Sequence, residues 1–275
     1  MEFTHAFITG AGSGLGRAFA LELAARGVSV CCTDVRAETA AETAELVRAR
    51  GVRSIGLACD VRDMADVERA VALAERELGP LDLCVNNAGI MTGGDLGSIP
   101  LEEWKLTVDI NLWGPVHGMH ACTPRFKSRG RGHFLNVASI AGVLASPETA
   151  PYNMTKAAVI SLTETAFAEL GKWDIGATVL CPTAVKTGIF ESMRSSNPTH
   201  RKLAEKNARS AGPREPDAIA RIAIDACEAG QLYVFPQPDA KAVWYAKRFM
   251  PTWFTRLARR ARNKQWLEKS VKSET

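Results

Sequence analysis

Short apolar, β-branched runs alternate with longer segments of helical period along most of the chain. The runs centre on Phe7, Val30, Ile55, Leu83, Leu135, Val179 and Tyr233 and predict seven strands. Between them apolar residues recur every three or four positions in Leu15 to Arg26, Glu38 to Arg50, Met64 to Leu78, Glu103 to Lys127, Tyr152 to Leu170 and Pro216 to Ala229, which predicts helices. Strands that alternate with helices build a parallel sheet covered on both faces, so the expected fold class is α/β, a doubly wound parallel seven-stranded sheet flanked by helices. Residues 1–235 should form this body, and 236–275 a C-terminal helical extension.

One stretch breaks the alternation. Thr187 to Pro213 is long and polar, carries Pro198 and Gly212, and predicts no strand of its own. It follows the sixth strand, at the sheet end where open α/β folds bind ligands, which predicts a lid with Ile189, Phe190 and Met193 on its inner surface.

Composition narrows the picture. A content of 46% hydrophobic residues is enough for a full core. Seven cysteines occur without CxxC spacing, and Cys31, Cys84 and Cys181 fall in apolar runs, so buried thiols are expected rather than disulfides or metal ligands. His117 and His120 lie one helical turn apart but have no acidic or cysteine neighbour to complete a metal site. The formal charge of +4 belongs to the tail: after Pro236 ten Lys/Arg stand against three Asp/Glu. The body therefore offers no basic face to nucleic acid. No secretory signal or bilayer-spanning run is visible, which predicts a cytoplasmic protein.

The candidate chemistry begins after the first strand, at Thr9-Gly10-Ala11-Gly12-Ser13-Gly14-Leu15-Gly16. Glycines there let the backbone turn tightly and approach a pyrophosphate, while the next helix offers unpaired N–H groups and the positive end of its dipole. Gly10, Ser13, Gly14, Leu15 and Gly16 are the expected contacts. The second strand ends at Asp34, whose carboxylate can accept from adenosine ribose hydroxyls and repels a 2′-phosphate, favouring NAD over NADP. Two competing readings are that Arg36 swings toward a phosphate and that Asp34 caps a helix. Asp60 and Val61 close the third strand, where Asp60 could bond the adenine amino group. Asn86-Asn87-Ala88-Gly89 closes the fourth, with the small Ala88 and Gly89 giving room for the cofactor and the Asn side chains tying loops together.

Ser139 follows the fifth strand, Tyr152-Asn153-Met154-Thr155-Lys156 opens the next helix, and Asn111 lies between strands four and five. With the glycine motif, Asp60 and the Asn-Asn-Ala-Gly run, this order resembles the short-chain dehydrogenase/reductase superfamily, in its single-domain subgroup, from His5 to Phe235. The resemblance implies a Rossmann-type oxidoreductase with catalytic Asn111, Ser139, Tyr152 and Lys156. Four-residue spacing puts Tyr152 and Lys156 on one helical face. An ammonium near the phenol, together with the positive nicotinamide, should lower the tyrosine pKa so that it serves as base for alcohol oxidation and acid for ketone reduction. Ser139 would hold the substrate oxygen, Lys156 the nicotinamide ribose, and Asn111 a water that relays the proton. Pro182, Val185 and Thr187 match the family's nicotinamide contacts, whereas Thr183 stands where the family usually has glycine, which puts the local backbone path in question.

The expected substrate wall, Met91, Val143, Leu144, Ala145, Phe190 and Met193, with Ile90, is apolar and carries no cation for an acidic substrate. It suits a lipophilic secondary alcohol or ketone of steroid, aryl-alkyl or fatty type. In the tail, a helix projected from Pro251 puts Trp253, Phe254 and Leu257 on one face and Arg256, Arg259 and Arg262 on the other. Packing against the body or a second subunit is favoured over peripheral contact with an anionic membrane. The resemblance also implies a homodimer or homotetramer built through Trp113 and Phe167. The rival readings are an NADP(H)-preferring carbonyl reductase, a sugar-nucleotide epimerase or dehydratase of the extended subgroup, and a non-catalytic cofactor-binding regulator at a membrane surface.

Overall fold

A computed structural model describes residues 1–183, 185, 193–195, 215–257 and 259–260. The seven apolar runs become β1 (His5–Thr9), β2 (Ser29–Asp34), β3 (Ser54–Ala58), β4 (Leu83–Asn86), β6 (Gly132–Val137), β7 (Ile175–Leu180) and β9 (Tyr233–Val234); β5 (Thr92–Gly93) and β8 (Arg194–Ser195) form a separate ribbon. The sheet order is β3-β2-β1-β4-β6-β7-β9, and every pairing is parallel. Its helices are α1 (Gly14–Ala25), α2 (Ala37–Arg48), α3 (Met64–Leu78), α4 (Leu101–Val108), α5 (Gly114–Arg129), α6 (Ala141–Leu144), α7 (Ala150–Leu170), α8 (Pro216–Glu228) and α9 (Pro238–Phe249).

Successive side chains of a strand point to opposite faces, so a strand covered on both sides must be apolar throughout. Accordingly Ile8, Val30 and Leu135 enter the core under α1 and α8, while their neighbours Phe7, Cys31 and Phe134 enter the core under α3, α5 and α7. The helices bury matching stripes; in α3 these are Val67, Ala70, Val71, Ala74 and Leu78. All seven cysteines are buried and free.

Two predicted outlines change. The single helix expected over Glu103 to Lys127 is split into α4 and α5 by a π-helical turn, Asp109–Trp113, which carries Asn111. The stretch after β7 does contain a strand: β8 pairs in parallel with β5, Thr92 opposite Arg194, and Arg194 is clamped to Glu103 by two 2.7 Å bonds. Period-based reading misses a two-residue strand because two residues carry no alternation. Most of the proposed lid, including Thr187, Ile189 and Phe190, lies outside the described residues.

The tail also begins differently. Pro238 occupies the first turn of α9, where its missing N–H costs no hydrogen bond, well before the helix start projected at Pro251. Residues 251–257 and 259–260 are helical as well. Among the described residues no helix is long and apolar enough to cross a membrane.

Candidate active site

The chain reverses direction of winding at β1, which pairs with β2 on one side and β4 on the other. A crevice opens at the carboxyl ends of the strands at such a switch point. Here it is a cleft of ≈ 950 Å³.

One end is built from backbone. Gly10 and Gly14 have φ of +62° and +53°, the left-handed region that glycine adopts without strain. A Cβ on Gly10 would stand 2.8 Å from Ala88 Cα, so the glycine loop lies directly against the loop after β4. Asn87 Nδ2 donates to Thr9 O and Gly10 O at 3.0 Å, fixing the two loops together as its position suggested. Ser13 precedes α1 without capping it, which leaves the helix N–H groups beside Gly14 and Leu15 facing the cleft. Gly16 is not in the lining. A Cβ there would stand 2.1 Å from Gly10 O, so this glycine serves the packing of α1 under the turn, and its expected contact role is corrected.

Asp34 lines the same end and accepts from Gly12 N and Arg36 N, both at 3.1 Å. Arg36 is exposed, with Nε 3.9 Å from the Asp34 carboxylate. Asp60 and Val61 line the cleft beyond it, and Arg62 holds the Asp60 carboxyl below its usual pKa through side-chain hydrogen bonds.

The other end is built from buried side chains. Ile140 N donates to Pro182 O at 2.9 Å, joining the loops after β6 and β7. Gly142 lets α6 lie on α7, since a Cβ there would come within 2.6 Å of the Lys156 carbonyl carbon. The start of α7 is pinned by Asn153, whose Nδ2 donates to Ser146 O at 2.6 Å and whose Oδ1 accepts from Thr149. These contacts bring Ser139, Tyr152 and Lys156 together, all three buried. Ser139 lies close enough to Tyr152 to pull its phenol toward ionisation. Lys156 Nζ donates to Val137 O at 2.7 Å and stands 5.6 Å from the centre of the Tyr152 ring.

Burial dominates the ionisation of this pair. It pushes the Tyr152 phenol up to about 12, against the pull of Ser139, and drags the Lys156 ammonium down to about 8. In the chain by itself the expected lowering of the tyrosine pKa therefore does not occur, because desolvation outweighs the pull of Ser139.

Asn111 is fully buried with both side-chain polar atoms engaged: Oδ1 accepts from Ile90 N at 2.8 Å, and Nδ2 donates to Ile90 O at 2.9 Å and Thr155 Oγ1 at 3.3 Å. A Cβ on Gly89 would meet Asn111 Oδ1 at 3.3 Å and Lys156 Nζ at 3.5 Å, so glycine leaves these two groups flanking an open backbone corner.

Met91 and Leu144 line the cleft as expected; Val143, Ala145 and Met193 do not. The single turn of α6 turns Ala141 and Leu144, three apart, inward and Val143 away. Ala145 leaves that turn in the left-handed conformation, φ 54°. Met193 packs onto Gly93 beneath the β5–β8 ribbon. Pro182, Thr183 and Val185 complete the floor. Thr183 does not have positive φ, so glycine is not required there, and its N–H donates to Gln237 Oε1 at 3.1 Å. Gln237, Asp239, Ile110 and Ile140 were missed in the sequence. Pro238 at a helix start, directly after the last strand, was the available signal for the first two.

Comparison with known proteins agrees with this arrangement. A family profile described as short chain dehydrogenase matches residues 4–198. Epidermal retinol dehydrogenase 2 of Mus musculus is 30% identical over 248 residues, 89% of this chain and 77% of that protein. The 1-deoxy-11-beta-hydroxypentalenate dehydrogenase of Streptomyces avermitilis is 30% identical over 276 residues, 99% of this chain and 97% of that protein. A crystal structure of a short chain dehydrogenase/reductase from Burkholderia phymatum in complex with NAD superposes with a TM-score of 0.83 at 31% identity, covering 90% of this chain and 93% of that one.

Proposed function

The chain belongs to the short-chain dehydrogenase/reductase family of oxidoreductases, and from that premise we propose that it interconverts a lipophilic secondary alcohol and its ketone with NAD(H), Tyr152 carrying the proton. The observation that supports this most directly is the buried Tyr152–Lys156 pair, one helical turn apart, lining the cleft together with Ser139.

The residues present fit a nicotinamide dinucleotide, since the cleft has a glycine-lined turn, an uncapped helix start and a carboxylate at the end of β2. Gly10, Ser13, Gly14 and Leu15 would hold the pyrophosphate, Asp34 the adenosine ribose, and Asp60 and Val61 the adenine. Asn87, Ala88 and Gly89 would border the middle of the cofactor, with Lys156, Pro182 and Val185 at its nicotinamide end. Bound there, the cofactor supplies the hydride acceptor or donor. NAD is favoured over NADP because the Asp34 carboxylate at the end of β2 would repel a 2′-phosphate. The Burkholderia phymatum neighbour carries NAD.

Ser139 would hold the substrate oxygen beside the Tyr152 hydroxyl, in place for the proton to leave or enter. A protonated Lys156 beside the ring favours the phenolate electrostatically, and the positive nicotinamide of the oxidised cofactor would add to it, both acting against the burial of the phenol. Lys156 acts only if protonated, and a phenolate beside it raises its own affinity for the proton. Asn111, its amide engaged with Ile90, positions the loop that walls the alcohol site.

Ile90, Met91, Ile110 and Leu144 give the substrate end an apolar lining, while the two arginines of the cleft, Arg36 and Arg62, sit beside acids at its adenosine end. Relatives named for retinol and for a hydroxypentalenate are consistent with an apolar hydroxyl compound. Trp113, Met154 and Phe167, all exposed on the π-helical turn and α7, suit a homodimer or homotetramer face.

The test is NADH formation from NAD⁺, against NADP⁺, with steroid, aryl-alkyl and aliphatic secondary alcohols. NAD-linked turnover of at least one of them is expected. Turnover confined to NADP⁺ would overturn the cofactor assignment, and no turnover of any of them, with a hydroxy acid assayed alongside being oxidised, would overturn the substrate class.

A further inference from the structure

The two sides of α9 have different fates. On one, Ala240 is fully buried and Trp244 packs on Tyr233 and Phe235 with ring centres 5.3 and 5.5 Å apart, which fastens the helix to the edge of the sheet. On the other, Tyr245 and Phe249 lie four residues apart, with rings stacked at 6.3 Å and exposures of 45% and 76%. Met250, where α9 ends with φ −132°, and Trp253 and Leu257 on the helical residues 251–257 are exposed too, at 49%, 55% and 48%. Single exposed apolar side chains are ordinary, but several grouped on successive helical turns mark a contact surface.

Charge selects what makes the contact. Between residues 238 and 260 there are six cations, Lys241, Lys247, Arg248, Arg256, Arg259 and Arg260, and one acid, Asp239. A second copy meeting this stripe about a twofold axis would set cations against cations. Residues 261–275 add four more cations against two acids, so the chain's own end does not neutralise it. An anionic lipid surface answers both features, taking aromatic and aliphatic side chains at its headgroup boundary and drawing cations to its charge.

We propose that α9 and the helical turns after it dock the protein on anionic membrane surfaces. The proposal stands on this surface alone and not on the reaction. It has a geometric consequence, because α9 packs against α6 while Asp239 and Leu144 line the cleft. Docking therefore brings the cleft's apolar end close to the bilayer.

The experiment is co-sedimentation of the full chain, with NADH present, on phosphatidylcholine vesicles and on phosphatidylcholine/phosphatidylserine vesicles. Wild type should partition at least tenfold more strongly onto the anionic vesicles, and less so as salt is raised. Phe249→Ser/Trp253→Ser and Arg256→Gln/Arg259→Gln/Arg260→Gln should each lose that partition tenfold or more, with unchanged melting and NADH binding. Wild type remaining in the supernatant with anionic vesicles would overturn the proposal. So would an apolar variant that ceases to self-associate while vesicle partition is unaffected, since the stripe would then be a face between copies.

Discussion

The two ends of the cleft solve different problems with different materials. At the proposed adenosine end, the cleft is shaped by what is missing, no side chain on Gly10 or Gly14 and no cap on α1, with the carboxylates of Asp34 and Asp60 along its lining. At the catalytic end, function depends on what is enclosed. Ser139, Tyr152 and Lys156 are shut in, and the phenol and ammonium are both driven toward their neutral forms. A rigid backbone cradle recognises a ligand by shape and surface charge, whereas a desolvated pair makes proton affinity depend on which charges are near.

Lys156→Ala should have the largest effect, since it removes both the charge beside Tyr152 and the proposed cofactor contact. A loss of about 10³-fold or more in kcat/KM is expected from steady-state kinetics, given that positioned proton-transfer groups contribute about 10²–10⁴-fold.

Desolvation on the catalytic side reaches beyond the cleft, to His133 on β6. Its Nε2 bonds Thr178 Oγ1 at 2.8 Å while Gly176 lies against Nδ1, and burial lowers its pKa to about 4. Below the ordinary histidine value the unfolded chain takes a proton that the folded chain refuses, so folding stability falls as pH drops from about 6.5 to 4 and this contribution levels off below. The loss should total about 3 kcal/mol. Denaturant melts across that range, compared with His133→Gln, check it: the variant should lose most of this slope.

At the open end the effect should be smaller and one of selectivity. Asp34→Ser should raise the NADP⁺-to-NAD⁺ ratio of kcat/KM roughly tenfold, because it removes the negative charge that would repel a 2′-phosphate, while kcat with NAD⁺ stays within about threefold, since the substitution is remote from the reacting groups. The smallest change is expected at Gln237, which joins the C-terminal extension to the cofactor floor through Thr183. Gln237→Leu should raise the KM for NAD⁺ by roughly threefold to tenfold with kcat nearly unchanged, and Gln237→Glu, which keeps an acceptor, should recover most of it.

These contrasts also explain what could be read in advance. Strands and helices were legible because the body repeats one unit, and periodicity survives wherever a side faces a core: Val67, Ala70, Val71 and Ala74 announce α3 without ambiguity. The glycine loop, Asp34, Ser139, Tyr152 and Lys156 were legible because each sits at a strand end or helix start at a fixed spacing. Three kinds of feature were not. The π-helical turn holding Asn111 follows from how α4 and α5 pack, not from local propensity. The inward or outward direction of Leu144, Val143 and Met193 depends on the rotation of one short helix and on a two-residue ribbon. The pKa of Tyr152 depends on burial in three dimensions, which spacing on a helix does not reveal.

The most direct measurement is a paired one on Tyr152→Phe: kcat for a lipophilic secondary alcohol with NAD⁺, and the Kd for NADH from its fluorescence. The account predicts a fall in kcat of about 10³-fold, with NADH binding within about threefold of wild type, because the ring remains in its enclosed site and only the proton-carrying oxygen is lost. A variant that turns over within tenfold of wild type while binding NADH normally would contradict the assignment of Tyr152 as the proton carrier.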